Sequence, residues 1–154
     1  MPLDESFVGR EYPPTTPYEV GREKIREFAA AIGDDNALYT DREAAQAAGY
    51  RDVIAPPTFA IVIAMPVINQ AAFDPELGLD YTKVVHGEQR FAYSRPIHPG
   101  DELSGVLHID RIRRAAGNDI LNVRAEISAG DGGDHVLTAT GMLVARGTSE
   151  EQAS

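Results

Sequence analysis

Thr58-Phe59-Ala60-Ile61-Val62-Ile63-Ala64-Met65-Pro66-Val67-Ile68-Asn69-Gln70-Ala71-Ala72-Phe73 contains the longest apolar run in the chain. It reads as a helix that is apolar on nearly every side, the mark of a helix wrapped by other structure and not laid on a surface. Pro66 is expected to kink it or cut it short, because proline has no N–H for the i−4 bond. The run Phe59 to Ile68 is about half of the roughly 20 residues that a bilayer helix needs. It is therefore the core of a folded domain and not a membrane span.

Downstream of it the period changes to two. Strands are expected near Val85–Arg95, Glu102–Arg113, Ile120–Ser128 and His135–Arg146. Asn122, Arg124 and Glu126 alternate with Leu121, Val123, Ala125 and Ile127, so one face of the sheet is wet. The breaks Pro96–Asp101, Ala115–Asp119 and Gly130–Asp134 are short and rich in turn residues, with Gly117-Asn118-Asp119 and Gly132-Gly133 as hairpin tips. An antiparallel meander following an all-round apolar helix is best accommodated as an α+β fold in which the curled sheet wraps that helix.

Upstream, the proline-rich stretch Tyr12–Tyr18 is extended. Arg22–Ile32 then turns helical, with Ile25, Phe28, Ala29 and Ile32 forming one apolar stripe. Gly33 sits where a left-handed C-terminal cap is wanted. Asp41 suits the N-cap of a short helix, Arg42–Ala48.

At 154 residues the chain is one domain's worth, read as residues 1–147 with a disordered tail at 148–154. Zero cysteines and four scattered histidines leave no thiolate nucleophile, disulfide or metal-ligand cluster of recognisable spacing. A net charge of −10 disfavours nucleic acid and anionic lipid. The acidic N-terminus is unlike a signal segment, so a soluble, cytoplasmic protein is expected.

The chemistry concentrates at Gly33-Asp34-Asp35-Asn36-Ala37-Leu38-Tyr39. Together with Ile54-Ala55-Pro56-Pro57-Thr58, this segment resembles the active-site block of the MaoC-like (R)-specific hydratases and dehydratases. That block runs Gly/Ser-x-Asp-x-Asn-Pro-Leu/Ile-His, then Ile-x-His-Gly-Met. Asp34, Asn36 and Leu38 match; Ala37 replaces the proline and Tyr39 the catalytic histidine. Arg90-Phe91-Ala92-Tyr93-Ser94-Arg95-Pro96-Ile97-His98-Pro99-Gly100-Asp101 is similar to a further strand-turn-strand block of the family. Tyr18-Glu19-Val20 and Lys24-Ile25-Arg26-Glu27 resemble the start of the FAS1-like dehydratase N-terminal family, which includes the non-catalytic subunit of a mycobacterial (R)-3-hydroxyacyl dehydratase.

By that resemblance the fold is a hot dog, Thr58–Phe73 is its central helix, and the working unit is a homodimer or a heterodimer with a catalytic MaoC-like subunit. The ligand implied is an acyl thioester of coenzyme A or acyl carrier protein, with no cofactor and no metal. Adding water across an enoyl thioester needs a base, an acid and donors for the enolate-like oxygen. Here the base position holds Tyr39, whose ordinary pKa is about 10. Pro57 falls on the glycine whose N–H serves the family as oxyanion donor, and proline has none to give. Losing a base costs about 10²–10⁴-fold and losing a donor about 10²–10³-fold.

The implied role is an acyl-thioester-binding, non-catalytic subunit of a hydro-lyase in fatty-acid-type metabolism. The alternatives are a self-sufficient enzyme, either a hydratase using Asp34 with Tyr39 or His86 or a thioesterase using Asp34 or Glu88 to activate water, and a purely ligand-binding or structural module. Catalytic candidates are thus Asp34, Asn36, Tyr39 and His86; binding candidates are Pro57, Thr58 and Gly87. Strand alternation puts His86, Glu88 and Arg90 on one face, where Glu88 can orient the His86 ring or all three form a surface stripe. His98, His108 and His135 read as solvated. Arg111, Arg113 and Arg114 form the one basic cluster, suited either to phosphates or an acidic carrier surface or simply to discouraging edge pairing.

Overall fold

In the computed structural model, which describes residues 2–130 and 133–148, the apolar segment forms helix α3, Ala60–Ala72, after a single 3-10 turn, Pro57–Phe59. Pro66 does not end it. The proline sits on the exposed side, so only the carbonyl of Val62 loses its helical donor. The buried side chains Ala60, Ile63, Ala64, Val67, Ile68, Ala71 and Ala72 recur at i, i+3, i+4 and i+7 and form one side of the helix, while Ile61, Val62, Met65, Asn69 and Gln70 are half-buried, so the all-round burial expected from the sequence is not reached.

Among the described residues five antiparallel strands curl over it: β1 (Tyr18–Glu19), β2 (Val84–Tyr93), β3 (Glu102–Ala115), β4 (Asn118–Ala129) and β5 (His135–Ala145), ordered β1-β3-β4-β5-β2. Helices α1 (Arg22–Ala31) and α2 (Arg42–Ala47) precede α3. Leu103, Leu107, Val123, Ala125, Ile127 and Leu137 alternate inward and are fully buried, as the period of two requires. The helix lies very close to β3. A Cβ added at Gly105 would stand 2.5 Å from Val67 Cγ2, so the strand backbone itself is the surface on which Val67 packs.

The β3–β4 hairpin is longer and tighter than its composition suggests. Pairing runs from Leu103↔Ala129 to Ala115↔Asn118. Ala116 and Gly117 alone make the turn, at φ of 50° and 76°. Asn118 and Asp119 therefore belong to β4 and not to the tip. Asp119 is fully buried and accepts from Leu3 N–H and Thr148 Oγ1, with Arg114 Nε 3.5 Å away. Those bonds correct the reading of a disordered tail at its first residue: Thr148 is buried and also donates to Ala145 O. Residues 149–154, and Gly132 of the expected second tip, lie outside the described residues.

The two edges of the sheet are treated differently. The N-terminal segment runs along β3, with Gly9 N–H on Ile109 O, Tyr12 N–H on Leu107 O and Thr15 N–H on Gly105 O. Prolines 13, 14 and 17 lie in this covering segment, as suits a sheet margin. The opposite edge is β2, paired only through β5 among the described residues.

Two substitutions test this packing. Gly105→Ala should lower stability by about 1–3 kcal/mol, because α3 must shift off the strand. Ala116→Asn should raise it by about 1 kcal/mol, because a non-glycine residue with a Cβ and no local hydrogen bond is disfavoured at positive φ. Urea midpoints at unchanged m-value read both effects.

Candidate functional site

Three segments far apart in sequence meet at one end of α3: residues 34–39, 54–58 and 93–98. Backbone bonds hold them in register, Ile54 N–H on Leu38 O (3.0 Å) and Ala55 N–H on Ile97 O (2.7 Å). Between them lies a cavity of about 380 Å³ bordered by Tyr39, Tyr50, Ile54, Ala55, Pro57, Tyr93, Ser94, Arg95 and Pro96. Its size and mostly apolar wall suit a small acyl group with a few polar contacts.

Gly33 closes α1 in the left-handed conformation, φ 70°, so that Asp34 N–H reaches back to Ala29 O. Asp34 Oδ1 accepts from Asn36 N–H (3.1 Å), and Asn36 Oδ1 in turn caps the next turn through Leu38 N–H (3.0 Å). Both side chains are occupied with local backbone. Asp34 borders a separate cavity with Arg26, Gly33, Asp35 and Thr40. Tyr39 is buried, and desolvation and the Asp34 charge both push its phenol above the usual range. It is a proton donor at neutral pH and not a base.

Pro57 occupies the first position of the 3-10 turn, where a missing N–H costs no helical bond. Its carbonyl accepts from the Tyr93 hydroxyl. Burial pushes the Tyr93 phenol up to about 12. Thr58 is exposed and does not border the cavity.

His86 and Gly87 are not brought to this place. They lie at the other end of β2, about 20 Å along the strand from Tyr93 at about 3.3 Å per residue. A bulge between His86 and Glu88 also breaks the alternation assumed for them. His86 faces α3 beside Met65, Ile68 and Asn69, whereas Glu88 faces outward and binds Arg90 Nε at 2.6 Å. Gln89, not Glu88, contacts the His86 ring, at 3.0 Å. Gly87 lies against β5, where a Cβ would meet only the mobile tip of the Met142 side chain, at 2.7 Å from Cε.

The other histidines are more engaged than expected. The His98 side chain is only 16% exposed and lies between Arg51 (2.9 Å) and Asp101 (3.4 Å). His108 faces Glu11 across the covered edge. His135 contacts Ser94 and Glu126. Asp101 is buried and receives both Arg95 guanidinium nitrogens at 2.9 Å and His98 N–H at 3.0 Å. Burial raises its carboxyl, but these donors outweigh that and hold it below the usual aspartate range. Arg95 is thereby fixed at the cavity wall. Tyr50, Tyr93, Ser94 and Arg95 were not singled out from the sequence, although the last three fall inside the Arg90–Asp101 block. Arg111, Arg113 and Arg114 are at the far end of β3, and Arg114 is committed to Asp119. Among the described residues no cluster of three potential metal ligands exists, and no helix is long and apolar enough to cross a membrane.

Comparison with known proteins identifies the architecture. Residues 6–139 match the FAS1-like dehydratase domain region. A UPF0336 protein of Saccharopolyspora erythraea is 61% identical over 98% of this chain and 96% of its own length. A structure described as a MaoC-like dehydratase superposes with a TM-score of 0.84 at 34% identity, covering 94% of this chain, which spans 44% of that longer protein. The HadBC (3R-hydroxyacyl-ACP dehydratase) complex of Mycobacterium tuberculosis superposes with a TM-score of 0.79 at 30% identity, covering 90% of this chain and 96% of that one. The wrapped helix and curled sheet are thus a hot-dog fold.

Asp101→Asn should destabilise the chain by about 3–5 kcal/mol by leaving Arg95 without its counter-charge. Because the folded-state carboxyl titrates lower than the unfolded one, its contribution is complete above the ordinary value of about 3.9 and disappears as pH falls through the lower folded value. Urea unfolding of both chains from pH 7 to pH 3 should show their difference shrinking at the acid end.

Proposed function

The chain belongs to the FAS1-like dehydratase domain family, within the MaoC-like hot-dog proteins, and on that premise we propose that it is an acyl-thioester-binding subunit that depends on a catalytic partner for hydration or dehydration. One observation carries this reading. The cavity beside the Asp34–Tyr39 motif is bordered by three tyrosines and no histidine, and the helix start facing it is Pro57, which has no N–H. A phenol pushed above its ordinary pKa does not take a proton from water at neutral pH. An acyl group of a coenzyme A or carrier-protein thioester would occupy the apolar wall of Ile54, Ala55 and Pro57, with Arg95 as the cation nearest the polar head.

The uncovered edge strand supports a paired assembly. The β3 margin is closed by the chain's own N-terminal segment, while β2 leaves backbone groups for another strand. Exposed Phe73, Tyr81 and Val85 lie at the Val84 end of that edge. A complex is what the HadBC structure is described as. A catalytic hot-dog subunit meeting β2 edge to edge is the partner we propose.

The juxtaposition of Asp34 and Tyr39 favours a second reading, a self-sufficient hydratase with Asp34 as base and the Tyr39 phenol as acid. Assays of enoyl-thioester hydration by this chain, by a catalytic hot-dog partner and by their mixture separate the two. The expected result is turnover by the mixture well above either component. Turnover by the lone chain that vanishes in Asp34→Asn establishes the second reading instead.

Tyr39→His should restore less than about tenfold in hydration, because the donor withheld at Pro57 is alone worth about 10²–10³-fold. A competent hydratase from that single change would show that Pro57 is no obstacle.

A further inference from the structure

Ser94, the residue after β2, borders the cavity, and its Oγ lies 2.6 Å from His135 Nδ1. On the other side of the ring, His135 Nε2 lies 3.0 Å from Glu126 Oε2 and 2.9 Å from Thr138 Oγ1. Thr138 Oγ1 donates to the same carboxylate oxygen at 2.7 Å, and Arg124 Nη1 donates to Oε1 at 2.7 Å. Burial raises the Glu126 carboxyl, but the bonds from Thr138, Arg124 and His135 outweigh it, so the group is ionised at neutral pH. An ionised carboxylate only accepts. In the neutral ring a proton on Nε2 satisfies that carboxylate and leaves the Nδ1 lone pair facing the serine hydroxyl.

Strand geometry builds this line of groups. Glu126 and Thr138 are direct cross-strand partners of β4 and β5. His135, three residues before Thr138, belongs on the opposite face of a regular strand. The register shift at Ile127/Ser128 pairs Ser128 with His135 and leaves Val136 as the additional residue, which turns His135 onto the Thr138 face. The carbonyl of that same Val136 receives Ser94 N–H at 2.8 Å, so one bulge positions both the serine and the histidine.

We propose that Ser94 is a nucleophile, His135 its general base and Glu126 the positioning residue of a hydrolytic site for acyl thioesters whose acyl group enters the neighbouring apolar cavity. The activity goes beyond hydration of a double bond and uses neither Asp34 nor Tyr39. In the first half, Ser94 Oγ bonds to the thioester carbonyl carbon as its proton passes to His135 Nδ1. The C–S bond breaks, and the departing sulfur takes that proton. In the second half, water gives a proton to His135 and its oxygen to the acyl carbon, and Ser94 Oγ leaves with the proton returned. The sum is thioester plus water giving carboxylic acid plus thiol, with no oxidant or cofactor. A thiolate leaves far more readily than an amine, so thioesters and not peptides match the site. Arg95 borders the same cavity, where its guanidinium is held by Asp101.

The test is labelling of the full chain with a fluorophosphonate probe, followed by peptide mapping, beside hydrolysis of acetyl-coenzyme A. The label should fall on Ser94, disappear in Ser94→Ala, and form at least about a hundredfold more slowly in His135→Gln. Glu126→Gln should lower the maximal labelling rate without changing the probe concentration that gives half of it, as expected of a group acting through the imidazole. Circular dichroism and urea midpoints check that each variant is folded. Acetyl-coenzyme A hydrolysis should be lost with the label. Absence of label, label elsewhere, or an unchanged rate in folded His135→Gln overturns the proposal; label without thioester hydrolysis overturns its substrate class. Hydration of an enoyl thioester is read in a separate assay, so failure of the subunit reading does not register here.

Discussion

Everything in this molecule depends on burying the apolar face of one helix. Ala60, Ile63, Ala64, Val67, Ile68, Ala71 and Ala72 of α3 are removed from water together, so the sheet bends over that face, and Gly105 lets the strand backbone approach Val67. At about 25 cal/mol per Å² of apolar surface, no set of surface ion pairs competes with that requirement. The long β3–β4 hairpin, the curl of the sheet and the covering of the β3 edge by the N-terminal segment are consequences of enclosing α3 on the sides the chain itself can reach.

The candidate site is a by-product of the same enclosure. Where α3 begins, the sheet ends and three connecting segments must cross the mouth of the wrap. Their backbone groups pair with one another, as in Ala55 N–H on Ile97 O, because buried peptide groups need partners. The cavity between them is where apolar wall, fixed arginine and tyrosine hydroxyls meet. At this mouth Tyr39 is part of the buried core and Pro57 starts the turn that leads into α3.

Departures from regular alternation carry the chemistry that was hardest to foresee. The bulge at Gly87 separates His86 from Glu88, and the one at Val136 brings His135 onto the face of Thr138 and Glu126. Each adds a single residue and moves a histidine to the opposite side of the sheet. The α+β class, the central helix and the four long strands were legible from periodicity, and the three blocks around residues 34–39, 54–58 and 90–101 from their likeness to a family. The neighbours of the histidines were not, since a period-two pattern has no sign for where a strand admits an additional residue.

The sequence by itself determined the enclosed helix, the wet and dry faces of the sheet, the left-handed cap at Gly33 and the absence of an N–H at Pro57. These follow from side-chain polarity and backbone chemistry within a few residues. Only the tertiary structure decided that residues 39, 57 and 93–95 share one cavity, that Asp119 holds Thr148, and that Ser94, His135 and Glu126 stand in line. Those relations join positions tens of residues apart, and they are set by register and by the close approach of α3 to β3, neither of which has a local signature.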